Sequence, residues 1–254
     1  MSVFGVTDGS VRLTRVGYAD IPLPPETFGL TAADVAGIDW AEPVWAEGTQ
    51  VRAAAAAWII ESGDARIVVD PAFAADDILR NEHDAAGHQD AFAAALASAG
   101  FPRESITHAV ATHFDGIGML AWRNDDGSWA PFFPNAPVLY STRELEAMDV
   151  SPYLDERSLQ RTGEHHELTG EVWLEHTGVH SPGHQIVRIE SDGERATIIG
   201  HLALVPLNLA VPGVNARPEW DAVTSIRDEA GLLIGPLWPT PGAGRWENGA
   251  LVPV

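Results

Sequence analysis

Three histidine-bearing segments fall where strands are expected to end: Thr112-His113-Phe114-Asp115, Val179-His180-Ser181-Pro182-Gly183-His184 and Gly200-His201. Imidazoles and a carboxylate delivered by separate strand ends can converge on one ion. Met alone, any of these histidines reads as an ordinary hydrogen-bonded or surface residue; their joint order is the signal. The chain has no cysteine, which removes disulfides, thiolate metal sites and cysteine nucleophiles together. A metal must therefore bind through His, Asp or Glu, which suits zinc, iron or manganese. His83, His88 and His165-His166 lie in polar stretches and read as surface residues.

The elements that must position these segments follow from local pattern. Trp58 to Glu61 and Arg66 to Val69 read as paired strands around the turn-like tetrad Ser62 to Ala65, the second running into Asp70-Pro71. A helix follows, with Asp90 as its cap, Phe92 and Leu96 one turn apart on one face, and Gly100 and Pro102 as its stop. The Ala- and Asp-rich stretch before it reads as helix or loop. Ile106 to Ala111 is apolar enough for a buried strand and delivers Thr112 to Gly118 at its end, where polar residues are available for chemistry. Val138 to Tyr140 is a further strand, and Ser141-x-x-Glu144 is a capping-box signature opening a short helix through Met148. Val172 to His176 is a strand, Gln185 to Ile189 and Arg195 to Ile199 form a hairpin, Pro218 to Glu229 is a helix, and Leu232 to Ile234 is expected to be the last strand. Hairpins and single strands alternating with helices, once in each half, suggest two sheets packed face to face with helices outside. A doubly wound dinucleotide-binding topology is the rival, but no Gly-x-Gly-x-x-Gly follows an early strand.

At 254 residues and 45% apolar composition the chain can bury a full core and fits one α/β domain, with the N-terminal segment of about 50 residues an extension packed on it. The formal charge of −21 is scattered over the sequence, and no lysine occurs. Binding to nucleic acid or an anionic membrane would meet long-range repulsion. The N-terminus lacks a basic segment followed by an apolar run, and no stretch approaches the roughly 18 apolar residues of a membrane span. A cytoplasmic location and a small-molecule substrate are the expectation, with a homodimer left open.

Four stretches together resemble the metallo-β-lactamase fold hydrolases, especially the branch of quorum-signal lactonases and organophosphate-hydrolase-like proteins. Val68-Val69-Asp70 resembles the early strand ending in Asp, and Thr112 to Gly118 resembles the Thr-His-x-His-x-Asp-His-x-Gly loop. His180-Ser181-Pro182-Gly183-His184-Gln185 resembles the Gly-His-Ser-Pro-Gly-His-Gln segment, and Pro236 to Arg245 resembles the C-terminal His-Phe-Pro-x-Pro-Gly-x-Gly-Arg stretch. Gly200-His201 falls where the family has Gly-Asp, and Trp129-x-Pro-x-Phe-Pro-Asn-Ala is similar to the same branch. The resemblance implies an α/β fold, a four-layer αββα sandwich.

The departures are as informative. The histidine loop appears as His113-Phe114-Asp115-Gly116, so at least two of its histidines are missing, and His113 matches either the first or the second histidine of the loop. His201 replaces the bridging aspartate, and Leu237 or Trp238 takes the C-terminal histidine position. A dinuclear site of the family type is not expected. The residues left are His113, His180 and His201 with Asp115 nearby, a set for one zinc, iron or manganese ion; the competing expectation is a metal-free pocket. The resemblance places Asp70 behind the ligands, orienting one of them, with a plain Asp-Pro turn as the alternative, and His184, after Pro182-Gly183, reads as a packing or hydrogen-bonding residue.

With a metal, the implied reaction is hydrolysis of an ester or lactone, with His113 and Asp115 as the catalytic pair and Asp115 orienting or deprotonating the water. Trp122, Trp129, Phe132, Phe133 and Trp238 suggest an apolar wall and an uncharged, partly hydrophobic substrate, although the same residues suit plain core. A lyase, isomerase or cyclase using His and Asp as proton carriers is the alternative, and a ligand-binding module without turnover is the third.

Overall fold

The computed structural model describes residues 2–5, 10–71, 85–114 and 120–254. Two sheets form the body. In the first, β1 (Ser2–Gly5), β2 (Val11–Leu23), β4 (Gln50–Ser62), β5 (Ala65–Val69), β6 (His108–Val110), β9 (Val138–Ser141) and β10 (Leu159–Thr162) lie in that order, and the short β3 (Ala46–Glu47) pairs with β4. In the second, β11 (His165–Glu167), β12 (Val172–His176), β13 (Gln185–Ser191), β14 (Glu194–Ile198), β15 (Leu232–Ile234), β16 (Ala243–Glu247) and β17 (Ala250–Pro253) run in sequence order. A two-stranded ribbon, β7 (Ala121–Arg123) and β8 (Trp129–Pro131), stands apart.

Strand alternation sorts the apolar residues into three cores. Trp58 and Ile60 of β4, Ile67 and Val69 of β5, Val110 and Leu139 face Val172, Leu174, Val187, Ile189, Ile198 and Ile234 of the other sheet. Their neighbours in sequence, Ile59, Val68, Ala109, Val138 and Tyr140, turn the other way and meet Phe92 and Leu96 of a helix, α2 (Ala85–Ser98). Behind the second sheet, Ile186, Ile199 and Leu233 meet Val35 of α1 (Ala32–Ala36) and Val223 and Ile226 of α4 (Arg217–Glu229). The layers are therefore helix, sheet, sheet, helix, the four-layer αββα sandwich expected.

Several local expectations are corrected. The first strand of the hairpin is much longer than its apolar core suggested, because the run Ala53–Ala57 is buried and continues β4 alongside β2, beyond its pairing with β5. Asp90 does not cap its helix but lies inside it, since the alanine-rich residues before it are themselves helical from Ala85. The Ala- and Asp-rich stretch 72–84 lies outside the described residues. Leu232–Ile234 is not the last strand: β16 and β17 follow, and Arg15 of β2 reaches the loop between, donating from Nη2 to the Trp238 carbonyl at 3.0 Å. The hairpin β13–β14 turns on Asp192-Gly193, both at positive φ (50° and 82°), which Asp and Gly tolerate best.

The supposed aromatic wall is also corrected. Phe132 and Phe133 are fully buried against Phe92 beneath α2, Trp122 and Trp129 pack on that same outer cluster, and Trp238 is buried behind the second sheet, where its Nε1 donates to the Ala203 carbonyl at 3.1 Å. Burial drives these rings into two cores on opposite sides of the sandwich instead of one pocket wall.

Among the described residues, no helix is long and apolar enough to cross a membrane.

Candidate metal centre

Strand direction brings the chemistry to one edge. β5, β6 and β9 are parallel, so Asp70, Thr112-His113 and the start of α3 (Thr142–Ala147) emerge together. In the second sheet β14 is parallel to β15 and antiparallel to β13, so the C-terminal end of β14, leading to His201, lies beside the N-terminal end of β13, which follows His180–His184. Gln185 fastens the two edges. Its backbone N–H donates to the Thr112 carbonyl and its Nε2 to the Ala111 carbonyl, both at 2.8 Å, while its Oε1 accepts from Thr162 Oγ1 at 2.8 Å. A fully buried amide satisfied at both ends bears no unpaired-group penalty.

Glu144 is a second fastener. Ser141 does cap the helix by accepting from the Glu144 backbone N–H, but the Glu144 carboxylate does not turn back to complete a capping box. It accepts from Phe114 N–H at 2.7 Å through Oε1, and from Ser181 Oγ and Gly183 N–H at 2.8 Å through Oε2. One buried carboxylate thus holds the loop after His113 and the loop between His180 and His184. Gly183 is small for a reason: a Cβ there would overlap Ser141 Oγ and the Glu144 backbone nitrogen. Sequence reading assigned Glu144 only the local cap, because Ser-x-x-Glu is complete as a local signal and nothing in it reports a contact 39 residues away.

His113, His180 and His201 come together, each offering a ring nitrogen within 4.8 Å of the others. Asp115 lies outside the described residues. The Asp70 carboxylate, at φ 37°, accepts from Thr112 N–H at 2.8 Å and from Thr112 Oγ1 at 2.6 Å. Since the hydroxyl hydrogen of Thr112 goes to Asp70, the 3.0 Å contact between Thr112 Oγ1 and His113 Nδ1 has the imidazole donating. His113 Nε2 is then a bare acceptor, and the 2.7 Å contact with His201 Nδ1 is an N–H donated by His201. His180 sits at φ 73°, a left-handed conformation that costs a residue with a Cβ, and its Nδ1 stands 3.3 Å from Oε1 of Glu219 on α4.

His184 is fully buried with its Nδ1 3.0 Å from Thr177 Oγ1, and its ring centre lies 5.5 Å from those of both His113 and His180. Its Nε2 has no hydrogen-bond partner among the described residues and faces Gly200, where a Cβ would come within 2.7 Å of it. Gly200, at φ 55°, lets the chain pass between Thr112 and His184 on its way to His201.

Burial, reinforced by the neighbouring imidazoles, holds His113 and His184 well below the ordinary imidazole value, and burial with His180 beside it lowers His201 to about 3. At neutral pH these rings are uncharged, the state in which nitrogen binds a metal. Three imidazoles from separate elements fit one zinc, iron or manganese ion. Trp238, buried with its Nε1 donating to the Ala203 carbonyl, has no ligand to offer the cluster.

Two outcomes follow. Glu144→Ala strands two buried N–H groups and a hydroxyl, and should cost about 2–4 kcal/mol in denaturant unfolding; a change within about 0.5 kcal/mol would contradict the fastening role. In metal-free protein, the folded site refuses protons that the unfolded histidines accept below their ordinary value of 6.5. Stability should therefore fall as pH drops below about 6.5 and keep falling towards the folded values, by up to about 1.4 kcal/mol per pH unit for each histidine. His201→Asn should show a shallower decline between pH 7 and 5, and equal stability of the wild type at both would count against burial of neutral rings.

No protein-family model matches the sequence, and no curated protein does. Solved structures match the fold over nearly the whole chain. A hydrolase of the β-lactamase superfamily, AbOPH, superposes with a TM-score of 0.75 at 16% identity, covering 99% of this chain and 96% of its own. A probable metal-dependent hydrolase from Staphylococcus aureus gives 0.72 at 16% identity, covering 100% and 99%. AidC, a dizinc quorum-quenching lactonase solved with its product, gives 0.72 at 14% identity, covering 100% and 97%. The sandwich is that of the metallo-β-lactamase fold.

Proposed function

We propose that this chain is a hydrolase of a small ester or lactone that works with one metal ion held by His113, His180 and His201. The observation that carries the reading is the convergence of three imidazole nitrogens within 4.8 Å, at the sandwich edge where Asp70 and Glu144 brace their loops. Similarity in fold to a dizinc lactonase and to a metal-dependent hydrolase supports the same class. When bound, a divalent ion supplies Lewis acidity, which makes water nucleophilic near neutral pH and polarises a carbonyl. The chain's own contribution is to keep His113 and His201 uncharged through burial and to fix the ring faces: Asp70 orients His113 through Thr112, and His184 packs behind the cluster. Asp115, two residues beyond His113, is assigned the water, which it would orient or deprotonate. Of the aromatic residues that suggested a partly hydrophobic substrate, Phe132, Phe133 and Trp238 are buried core, and Trp122 and Trp129 are half-buried against the outer cluster.

One observation favours a second reading. The 2.7 Å contact between His113 and His201 is a proton-sharing pair at the end of a chain from Asp70 through Thr112, which can move a proton without any ion. A metal-free lyase, isomerase or cyclase would use that chain as it stands.

Elemental analysis of protein purified without a His-tag separates the two. The hydrolase reading expects about one equivalent of zinc, iron or manganese in the wild type and loss of it in His180→Ala. A wild type that takes up no metal after incubation with each of these ions overturns the hydrolase reading and leaves metal-free acid–base chemistry or ligand binding.

A further inference from the structure

We infer that Glu219 is a positioning residue of this centre: its carboxylate engages the Nδ1 edge of His180 and so makes Nε2 the nitrogen offered to the ion. The inference rests on the metal reading above. No motif in the sequence points to Glu219, which lies 39 positions beyond His180 on a different element.

Four observations carry it. First, Glu219 Oε1 stands 3.3 Å from His180 Nδ1, and the two side chains are only 19% and 27% exposed, so the contact is partly withdrawn from solvent. Second, Glu219 occupies the first turn of α4, where an acidic residue commonly bonds back to the helix start, yet the residue before the helix is Ala216 and no side chain caps it. The carboxylate has been turned to the histidine instead. Third, the loop needs an outside brace. Gly178 and His180 both adopt positive φ (69° and 73°), and Glu144 secures Ser181 and Gly183 without touching the His180 ring. Fourth, His113 is treated in the same manner: its Nδ1 meets Thr112, which is backed by the Asp70 carboxylate, and its Nε2 is left facing the cluster. Two of the three imidazoles therefore have Nδ1 turned towards a carboxylate or a group that leads to one. A carboxylate behind a ligand histidine fixes its tautomer and raises its basicity, and loss of such a partner commonly weakens metal binding 10–100-fold.

The test is zinc affinity, measured on the full chain by competition with a chromophoric chelator, for the wild type, Glu219→Ala, Glu219→Gln and Glu219→Asp. Thermal melting of each metal-free form is recorded alongside. Glu219→Ala should bind zinc about 10–100-fold more weakly, with the metal-free melting temperature unchanged. Glu219→Asp, which keeps the charge, should recover more affinity than Glu219→Gln. Zinc affinity in Glu219→Ala within about twofold of a wild type that holds one equivalent overturns this role alone. A loss that Gln and Asp share equally, or that follows a lower metal-free melting temperature, also overturns it, since that marks a structural contact. A wild type that binds no zinc overturns both this inference and the metal reading.

Discussion

The site depends on joining two sheets at one edge. Each half of the chain builds its own sheet, and the apolar layer between them is indifferent to small shifts of one sheet along the other, because hydrophobic burial is non-directional. Directional bonds remove that freedom. Gln185 spans from the first residue of β13 to the Ala111 and Thr112 carbonyls at the end of β6, and Glu144 ties the loops that follow and precede those strands. Both side chains are buried, where hydrogen bonds are strong and an unmade one is expensive. The histidines are delivered by the same short segments, so the bonds that set the register of the sandwich also set the distances between imidazoles.

That arrangement bears on the chemistry. Among the described residues the donor set is three imidazoles whose ring nitrogens lie within 4.8 Å of one another. Burial keeps His113 and His201 uncharged, and Asp70 and Glu219 stand behind the cluster in a protein that already carries a formal charge of −21. The same neutral rings, joined by one proton between His113 and His201, are also equipped for acid–base work. Whether a cation replaces that proton decides between the two readings.

Much of the architecture was legible in the sequence, for physical reasons that can be named. β12 and β15 and the hairpin β13–β14 announce themselves through apolar runs and an Asp-Gly turn, and the histidine segments at their ends carry the resemblance to a known fold. β2, β16 and β17 were missed: their apolar alternation is weak, and they are strands because neighbours pair with them. The site was legible as far as its histidines. Glu144, Gln185 and Glu219 were not assigned their places in it, since a side chain that serves a distant loop leaves no periodicity. The aromatic wall failed for the converse reason: Trp122, Trp129, Phe132 and Phe133 share the outer core and Trp238 joins the other, so burial and not a common pocket accounts for the rings.

The central claim is a single ion among His113, His180 and His201. Anomalous scattering from a crystal of zinc-loaded protein, recorded at the zinc edge, tests it most directly. One peak bonded to all three imidazoles is the result predicted. Two peaks a few ångströms apart would restore a dinuclear centre, and no peak within reach of the three rings would contradict the account.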